Sequence, residues 1–169
     1  MAHSLTKPQV AKILREYGHL PRFGDGRIDF TGSPRAPIIA CFVEYKGKIL
    51  LLKRSKNVST HENRWNNISG YIDQERPLGY FVRNELREEA GIRGGNIARL
   101  RFGKRYEFYD RETKCTYDIH PVLVKLKRKQ KVSLNDEHTA RVWAGIGRIR
   151  EYGVIPSTIT SLKRVLPGE

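Results

Sequence analysis

Apolar residues recur along the chain at two different spacings, and these spacings predict where helices and strands lie. Steps of three and four residues indicate three helices, because such steps place side chains on one face of a helix. The first helix is predicted between Thr6, which can cap it, and Gly18. The second is predicted from Pro77 to just before Gly91, and the third begins with a cap at residues 157–158.

Runs rich in β-branched and aromatic residues predict strands. The four longer runs span residues 38–45, 48–54, 100–108 and 116–126. The first two are joined by Lys46-Gly47, which is a hairpin signal. Pro121 in the last run predicts an edge strand or a bulge, because proline lacks the N–H that a central strand donates. Residues 21–37 predict an extended connection, with a short strand near residues 28–30.

The second predicted helix carries Glu85, Glu88 and Glu89 at positions i, i+3 and i+4. That spacing stacks the three side chains on one face of the helix. Neighbouring carboxylates repel each other unless a cation lies among them, and their hard oxygen atoms suit Mg²⁺ or Mn²⁺. Taken alone, such a charge run is more often a solvated acidic face, here offset by Arg83 and Arg87.

The surrounding residues change this interpretation, because the segment Gly70–Ile92 resembles the Nudix box, G-x5-E-x7-R-E-U-x-E-E-x-G-U, where U is a bulky aliphatic residue. The residues that match at the right spacing are Gly70, Glu85, Leu86, Glu88, Glu89, Gly91 and Ile92. The preceding segment Trp65–Gly70 is similar to the W-x-x-x-(P/S)-G sequence that is common in the family. By this resemblance the chain is identified as a member of the Nudix family.

Two positions depart from the box. Arg76 stands where the box has its first Glu, with Glu75 one residue earlier, and Asn84 stands where the box has Arg. In the family, that Arg helps to orient a metal-binding Glu through charge-assisted hydrogen bonds. We hypothesise that Arg76 supplies the missing guanidinium from the loop. The alternative is that the glutamates are oriented more loosely and that activity is low or absent.

The resemblance covers about residues 36–166 and implies a fold of the α/β (α+β) class, the Nudix α/β/α sandwich with a central mixed sheet. Residues 1–35 are expected to form an N-terminal helix and an extended connection, and residues 36–169 the Nudix hydrolase domain. The chain length suits a single globular domain overall. The N-terminal helix is expected to pack on the body of the protein or on a second subunit.

The same resemblance implies an activity. Nudix enzymes hydrolyse a pyrophosphate bond in a nucleoside diphosphate linked to another moiety, such as a nucleotide, a dinucleoside polyphosphate or a nucleotide sugar. The cofactor would be Mg²⁺ or Mn²⁺, held by Glu85, Glu88, Glu89 and the Gly70 carbonyl. Glu88 and Glu89 are proposed as the principal ligands, and the general base is either Glu85 or Glu137, which the sequence does not rank.

Substrate contacts are assigned to Arg54 and Arg76. Arg54 ends the second strand, where Nudix proteins often carry a basic residue that reaches the substrate phosphates. The polar segment Ser55–Asn63 that follows is expected to face the site. His61 and Arg64 could touch substrate there, but exposure to solvent is the expectation. Tyr109 lies roughly where some dinucleoside-polyphosphate hydrolases of the family carry a Tyr, which is a weak signal.

The net positive charge of the chain indicates which class of partner it could bind. Lys and Arg number 32 and Asp and Glu number 18, an excess of 14 positive charges. Such an excess favours anionic partners, namely nucleotides, phosphorylated metabolites or RNA, although a basic surface without a specific partner would look the same. The alternative to an enzyme is therefore a non-catalytic Nudix-fold module that binds RNA or nucleotides. An isopentenyl diphosphate isomerase shares the fold, but no cysteine lies near the Gly70 loop, where that chemistry places one.

The sequence also bears on location and assembly. It has no run of about 18 apolar residues that would predict a membrane span, and the N-terminus lacks the apolar core of a signal peptide. Cys41 and Cys115 lie far apart, which argues against a disulfide framework or a zinc site. A cytoplasmic protein is expected. Dimers are frequent in the family, so a homodimer is compatible with the resemblance.

Overall fold

A computed structural model describes residues 3–166, in which eight strands form one sheet that lies between helices. The strands are β1 (Arg35–Tyr45), β2 (Lys48–Arg54), β3 (Trp65–Asn66), β4 (Ile68–Tyr71), β5 (Ile97–Phe102), β6 (Tyr106–Asp110), β7 (Cys115–Leu126) and β8 (His138–Gly145). The helices are α1 (Lys7–Leu14), α2 (Leu78–Ala90) and α3 (Pro156–Lys163). None of the described helices is long and apolar enough to cross a membrane.

Strand β1 separates two hydrophobic cores. Its residues Ile39, Cys41 and Val43 are buried in the core that also contains α1 and α2. The alternate residues Ala40 and Phe42 are buried in the core that contains α3. Because successive side chains of a strand point to opposite faces, helices cover both faces of the sheet. The predicted α/β/α sandwich is therefore confirmed.

The sheet is mixed, as predicted, because β1 is parallel to β7 and antiparallel to β2 and β4. Strands β1 and β2 pair only beside their turn, where Glu44 faces Ile49 and Tyr45 faces Lys48. Beyond this point the two strands separate, so that β4 pairs with β1 and β3 pairs with β2. The polar cleft described below opens at this separation.

The N-terminal helix packs on the body of the protein, which confirms one of its two predicted placements. Val10 and Leu14 of α1 are buried in the same core as α2. The segment before α1 also contacts α2 directly, since the Leu78 N–H donates a hydrogen bond to the Leu5 carbonyl at 2.9 Å. This bond satisfies one of the N–H groups that the first turn of a helix leaves free.

The strand predicted at residues 100–108 is two strands, β5 and β6, which pair with successive parts of one edge of β7. The break includes Gly103, whose N–H donates to the Pro121 carbonyl at 2.9 Å. In an antiparallel pair, the N–H and C=O of one residue point toward the same neighbouring strand. Because the Pro121 C=O points toward Gly103, the missing N–H of Pro121 would also point there, so this part of the partner strand has no donor to pair with. Because β7 has β1 on its other edge, the edge-strand alternative is wrong. The bulge alternative is closer to the structure, since three residues of the interrupted partner, 103–105, lie opposite residues 120–121.

Other boundaries also differ from prediction. The short strand expected near residues 28–30 is absent, and that part of the described chain forms only an isolated bridge between Arg22 and Ile28. Helix α3 begins at Pro156 after Ile155, so the predicted cap at residues 157–158 is wrong. Strands β3, β4 and β8 were not predicted, because short or half-buried strands lack a clear hydrophobic period.

Candidate active site

A cavity of about 690 Å³ opens where β1 and β2 separate. Loop, strand and helix residues from distant parts of the chain form its walls. Its ionisable lining residues include Arg27, Arg54, His61, Asp73, Glu85, Glu88, Glu89, Asp110, Asp136 and Glu137. Of the site residues predicted from the sequence, the cavity brings together Gly70, Arg54 and the four glutamates, and it does not include Arg76.

Gly70 and Glu85 are in unusually close contact. A Cβ atom added to Gly70 would lie 2.3 Å from Glu85 Oε1 and 2.4 Å from Glu85 Cδ. Real Cβ atoms do not approach other atoms so closely, so only glycine allows the Glu85 carboxylate to lie against β4. The glycine of the box is therefore required here for close approach.

Glu85 and Glu89 both have raised pKa values. Burial raises the pKa of Glu85 to about 8, and repulsion from Glu88 and Glu137 acts in the same direction. Burial also raises the pKa of Glu89 well above its ordinary value, with further repulsion from Glu85. Both carboxyl groups therefore favour the protonated form more strongly than an exposed glutamate does.

His138 lies against this pair without forming an ion pair. Its Nε2 is 3.6 Å from Glu89 Oε2, while its Nδ1 is 3.1 Å from Asn135 Oδ1. Burial lowers the pKa of His138 to about 4, aided by the positive charge of Arg54. Because Asn135 Oδ1 only accepts, the neutral ring donates its Nδ1 proton there and leaves Nε2 as an acceptor toward Glu89.

Glu88 is oriented by its own helix. Asn84 Nδ2 donates a hydrogen bond to Glu88 Oε1 at 3.0 Å. Asn84 Oδ1 in turn accepts a hydrogen bond from Arg87 Nη2 at 2.7 Å. The asparagine that replaces the box Arg is thus the middle member of a chain that joins a guanidinium to a carboxylate.

Arg76 does not take the place that the sequence suggested. Its guanidinium lies over the ring of Tyr80, 5.3 Å from the ring centroid. Besides Arg54, the guanidinium that reaches the cavity belongs to Arg27, whose Nη1 is 3.4 Å from Asp73 Oδ2. The Asp25-Gly-Arg27 turn is visible in the sequence, but its position beside the cavity depends on how the N-terminal segment docks.

Arg54 and Glu137 reach the cavity from the same end of the β2–β8 pair, where Arg54 ends β2 and Glu137 precedes β8. Arg54 Nε donates to the Thr60 carbonyl at 3.0 Å, which holds the side chain against the β2–β3 loop. The Glu137 carbonyl accepts a hydrogen bond from the Ser55 N–H at 2.8 Å. The negative charge of Glu137 is close enough to raise the pKa of Glu85. Both predicted residues are therefore at the site, with Glu137 exposed at its rim.

The donor atoms suit a hard divalent cation. Carboxylate oxygens are the ligands that Mg²⁺ and Mn²⁺ prefer, and a cation would offset the repulsion that raises the pKa of Glu85 and Glu89. Within residues 3–166, no three His, Cys, Asp or Glu side chains are arranged so that they could hold an ion as they stand. Three carboxylates could therefore hold one ion here only after their side chains moved closer together.

His61 is buried, and the prediction that it is exposed is wrong. The residue is 8% exposed, and its Nε2 lies 2.6 Å from Asp110 Oδ2. Its backbone N–H donates to Glu112 Oε1 at 2.6 Å. These bonds tie the β2–β3 loop to the β6–β7 turn. Because Asp110 is 49 residues away along the chain, local sequence could not show this burial.

Tyrosines form another part of the wall that the sequence did not identify. Tyr71 and Tyr117 line the cavity. Tyr109, to which the sequence gave a weak assignment, is 57% exposed and lies outside the lining. The alternation of strand residues could have placed Tyr117 on one face of β7, but not Tyr71, because β4 was not predicted.

Among known proteins, this chain is similar to solved structures but not to family models or curated sequences. No protein-family model matches the chain, and no curated protein sequence matches it significantly. Solved structures do match. The MutT protein from Methanosarcina mazei Go1 aligns with 78% of this chain and 93% of its own, at 21% identity and a TM-score of 0.62.

Two further structures give the same result. The MutT NUDIX hydrolase from Burkholderia pseudomallei aligns with 78% of this chain and 98% of its own, at 18% identity and a TM-score of 0.64. A C. elegans Ap4A hydrolase binary complex aligns with 77% of this chain and 93% of its own, at 18% identity and a TM-score of 0.58. At these identities the likeness is one of fold.

Proposed function

We propose that this chain, which has the Nudix fold, is a divalent-metal-dependent hydrolase that cleaves a pyrophosphate bond in a nucleoside diphosphate linked to another moiety. The observation that carries the proposal is the half-buried Glu85, which lies against Gly70 in the wall of a large polar cavity that the buried Glu89 also lines. A pair of carboxylates with raised pKa values in a cavity is typical of a functional site. The position of the pair in the box-like segment supports the same conclusion.

Glu85, Glu88, Glu89 and the Gly70 carbonyl would hold Mg²⁺ or Mn²⁺. When bound, such an ion offsets the charge on the pyrophosphate oxygens. Arg54 lines the same cavity and would contact a phosphate, as the sequence predicted. Arginine suits this role because its planar group can donate two parallel hydrogen bonds to phosphate oxygens.

In the reaction, a water oxygen attacks phosphorus while the bond from phosphorus to the bridging oxygen breaks. The leaving phosphate takes the electron pair, and a carboxylate accepts a proton from the water. Glu85 and Glu137 remain the two candidates for this base, and Glu85 could take this role only if a bound cation first displaced the proton that it holds near neutral pH. They differ in surroundings, because Glu85 is largely enclosed beside Gly70 whereas Glu137 is exposed at the rim.

A second candidate function is a non-catalytic module that binds RNA or nucleotides. It is favoured by the excess of 14 positive charges and by the two departures at Arg76 and Asn84. Under this proposal the cavity binds an anion without cleaving it. Binding would weaken steeply as salt is raised, because each phosphate contact releases counterions.

The test is a hydrolysis screen with Mg²⁺ or Mn²⁺ over nucleoside triphosphates, dinucleoside polyphosphates, nucleotide sugars, ADP-ribose and capped RNA. We expect activity on at least one substrate, abolished by a chelator. Glu88→Gln and Glu89→Gln should each reduce the rate by roughly 10²–10⁴. Glu75→Gln is the matched control, because Glu75 is exposed and outside the cavity. No hydrolysis anywhere, together with salt-sensitive RNA binding, would favour the binding module.

A further inference from the structure

Tyr71 presents an aromatic ring to the cavity. It is the last residue of β4, directly after Gly70, and it is 45% exposed although it lines the cavity wall. A tyrosine in this position places a flat apolar surface beside the carboxylates. Water covers such a surface at a cost, so the ring is a site for an apolar or planar group.

The N-terminal segment supports one face of this ring. Phe30 stacks against Tyr71 with ring centroids 5.3 Å apart and an angle of 25° between the planes. Tyr17 in turn meets Phe30 edge to face, at 5.2 Å and 80°. Phe30 and Tyr17 are themselves buried. Phe30 therefore covers one face of the Tyr71 ring, and Tyr17 in turn holds Phe30 in place.

The cavity is larger than a pyrophosphate group needs. Its volume of about 690 Å³ lies within the range of ~300–1,000 Å³ that is typical of pockets for drug-sized ligands. The arginines suit the phosphates, as do the carboxylates when they hold a cation, whereas Tyr71 adds aromatic surface to the same cavity. A substrate that used both would carry an anionic diphosphate at one end and a planar ring at the other.

We propose that the cavity-facing side of Tyr71 stacks against the base of a nucleotide substrate, so that the aromatic stack from the N-terminal segment continues into the ligand. This proposal rests on the proposed function for the identity of the anionic part. It assigns the N-terminal segment a role in substrate selection through Phe30. Stacking alone accepts every base, so the subsite distinguishes nucleotides from base-free phosphates.

The test measures binding by calorimetry, with Mg²⁺ present, for the four nucleoside 5′-monophosphates and for ribose 5-phosphate. Ribose 5-phosphate has the same sugar and phosphate but no base. We expect the best nucleotide to bind at least about tenfold more tightly than ribose 5-phosphate, as expected for one base–aromatic stack. Tyr71→Leu should remove most of this difference and leave the affinity for ribose 5-phosphate unchanged.

Two control variants keep the test interpretable. Tyr71→Phe retains the ring and should bind nucleotides within about threefold of the unmodified protein. Tyr109→Leu removes an exposed tyrosine outside the cavity and should change nothing. Equal affinities for nucleotide and ribose 5-phosphate, or an equal loss of both in Tyr71→Leu, would overturn the proposal. Base-dependent binding without any hydrolysis would instead leave this proposal standing and count against the enzymatic function.

Discussion

The side-chain amide of Asn84 links two charged residues of α2, donating to Glu88 Oε1 at 3.0 Å and accepting from Arg87 Nη2 at 2.7 Å. The Nudix box has an arginine at the position of Asn84. Here the hydrogen-bond donor and the positive charge are divided between two residues of the same helix. Because the amide is polarised by the guanidinium, Glu88 is still oriented by a cooperative hydrogen-bond chain.

Asn84→Ala should therefore release Glu88. We expect kcat/KM to fall about fivefold to tenfold, which corresponds to the loss of one hydrogen bond to a carboxylate at a partly exposed site. The Mg²⁺ concentration for half-maximal activity should rise at the same time. The measurement is a metal titration of steady-state rates. Arg83→Ala is the control, because Arg83 bonds the Gly79 carbonyl on the same helix. An unchanged metal titration in Asn84→Ala would contradict the role given to this residue.

Gly70→Ala should affect activity far more than folding. The new Cβ would lie 2.3 Å from Glu85 Oε1, so the carboxylate must leave its place beside β4. We expect a loss of at least about 100-fold in kcat, comparable to removing one catalytic group. Circular dichroism should show a folded protein. Gly95→Ala is the matched control, since a Cβ there meets no atom within 4 Å. Full activity of Gly70→Ala would rule out the Glu85 position as functional.

Arg27 and Arg76 are the two candidates for a second arginine, besides Arg54, that contacts the substrate. Arg27 lines the cavity, whereas Arg76 lies over Tyr80. Arg27→Ala should raise KM about tenfold with a smaller change in kcat, because a charge-assisted contact to the substrate is lost. Arg76→Ala should keep both KM and kcat within about twofold of the values for the unmodified protein. The opposite ranking of the two variants would restore the hypothesis made from the sequence.

The raised pKa of Glu85 has a consequence for stability. The folded protein keeps this proton up to about pH 8, whereas the unfolded chain releases it near the ordinary value of 4.5. The folded state thus binds more protons between these values, so the free energy of unfolding falls as pH rises from about 4.5 to about 8. The contribution of this group is complete below that interval and lost above it.

Glu85→Gln should remove this dependence. At pH 8 we expect the metal-free variant to be more stable than the unmodified protein, by on the order of 1–3 kcal/mol. The two should differ least near pH 4.5. Urea unfolding at several pH values with a chelator present provides the measurement. Glu75→Gln, at an exposed position, should follow the unmodified protein throughout. A difference between Glu85→Gln and the unmodified protein that does not vary with pH would argue against a raised pKa for Glu85.

Local sequence was sufficient for the elements whose pattern is periodic and whose ends carry a signal. Helix α2 is the best case, since Gly91 ends it with a φ of +65° as predicted. Strand β2 has the predicted bounds, because a continuous apolar run joined by a tight turn has few alternatives. The sequence predicted β5 and β6 as one strand, because Pro121, beside which they separate, lies in a different strand, β7.

The sequence by itself determined that Glu85, Glu88 and Glu89 lie on one helix at a spacing that brings them together, because helix geometry depends only on local backbone hydrogen bonds. Only the tertiary structure decided that Arg27 rather than Arg76 reaches the cavity, that His61 is buried against Asp110, and that Tyr71 is backed by Phe30. These are contacts between residues distant in sequence. They depend on where the N-terminal segment and the loops pack on the sheet, and the local sequence pattern does not determine that packing.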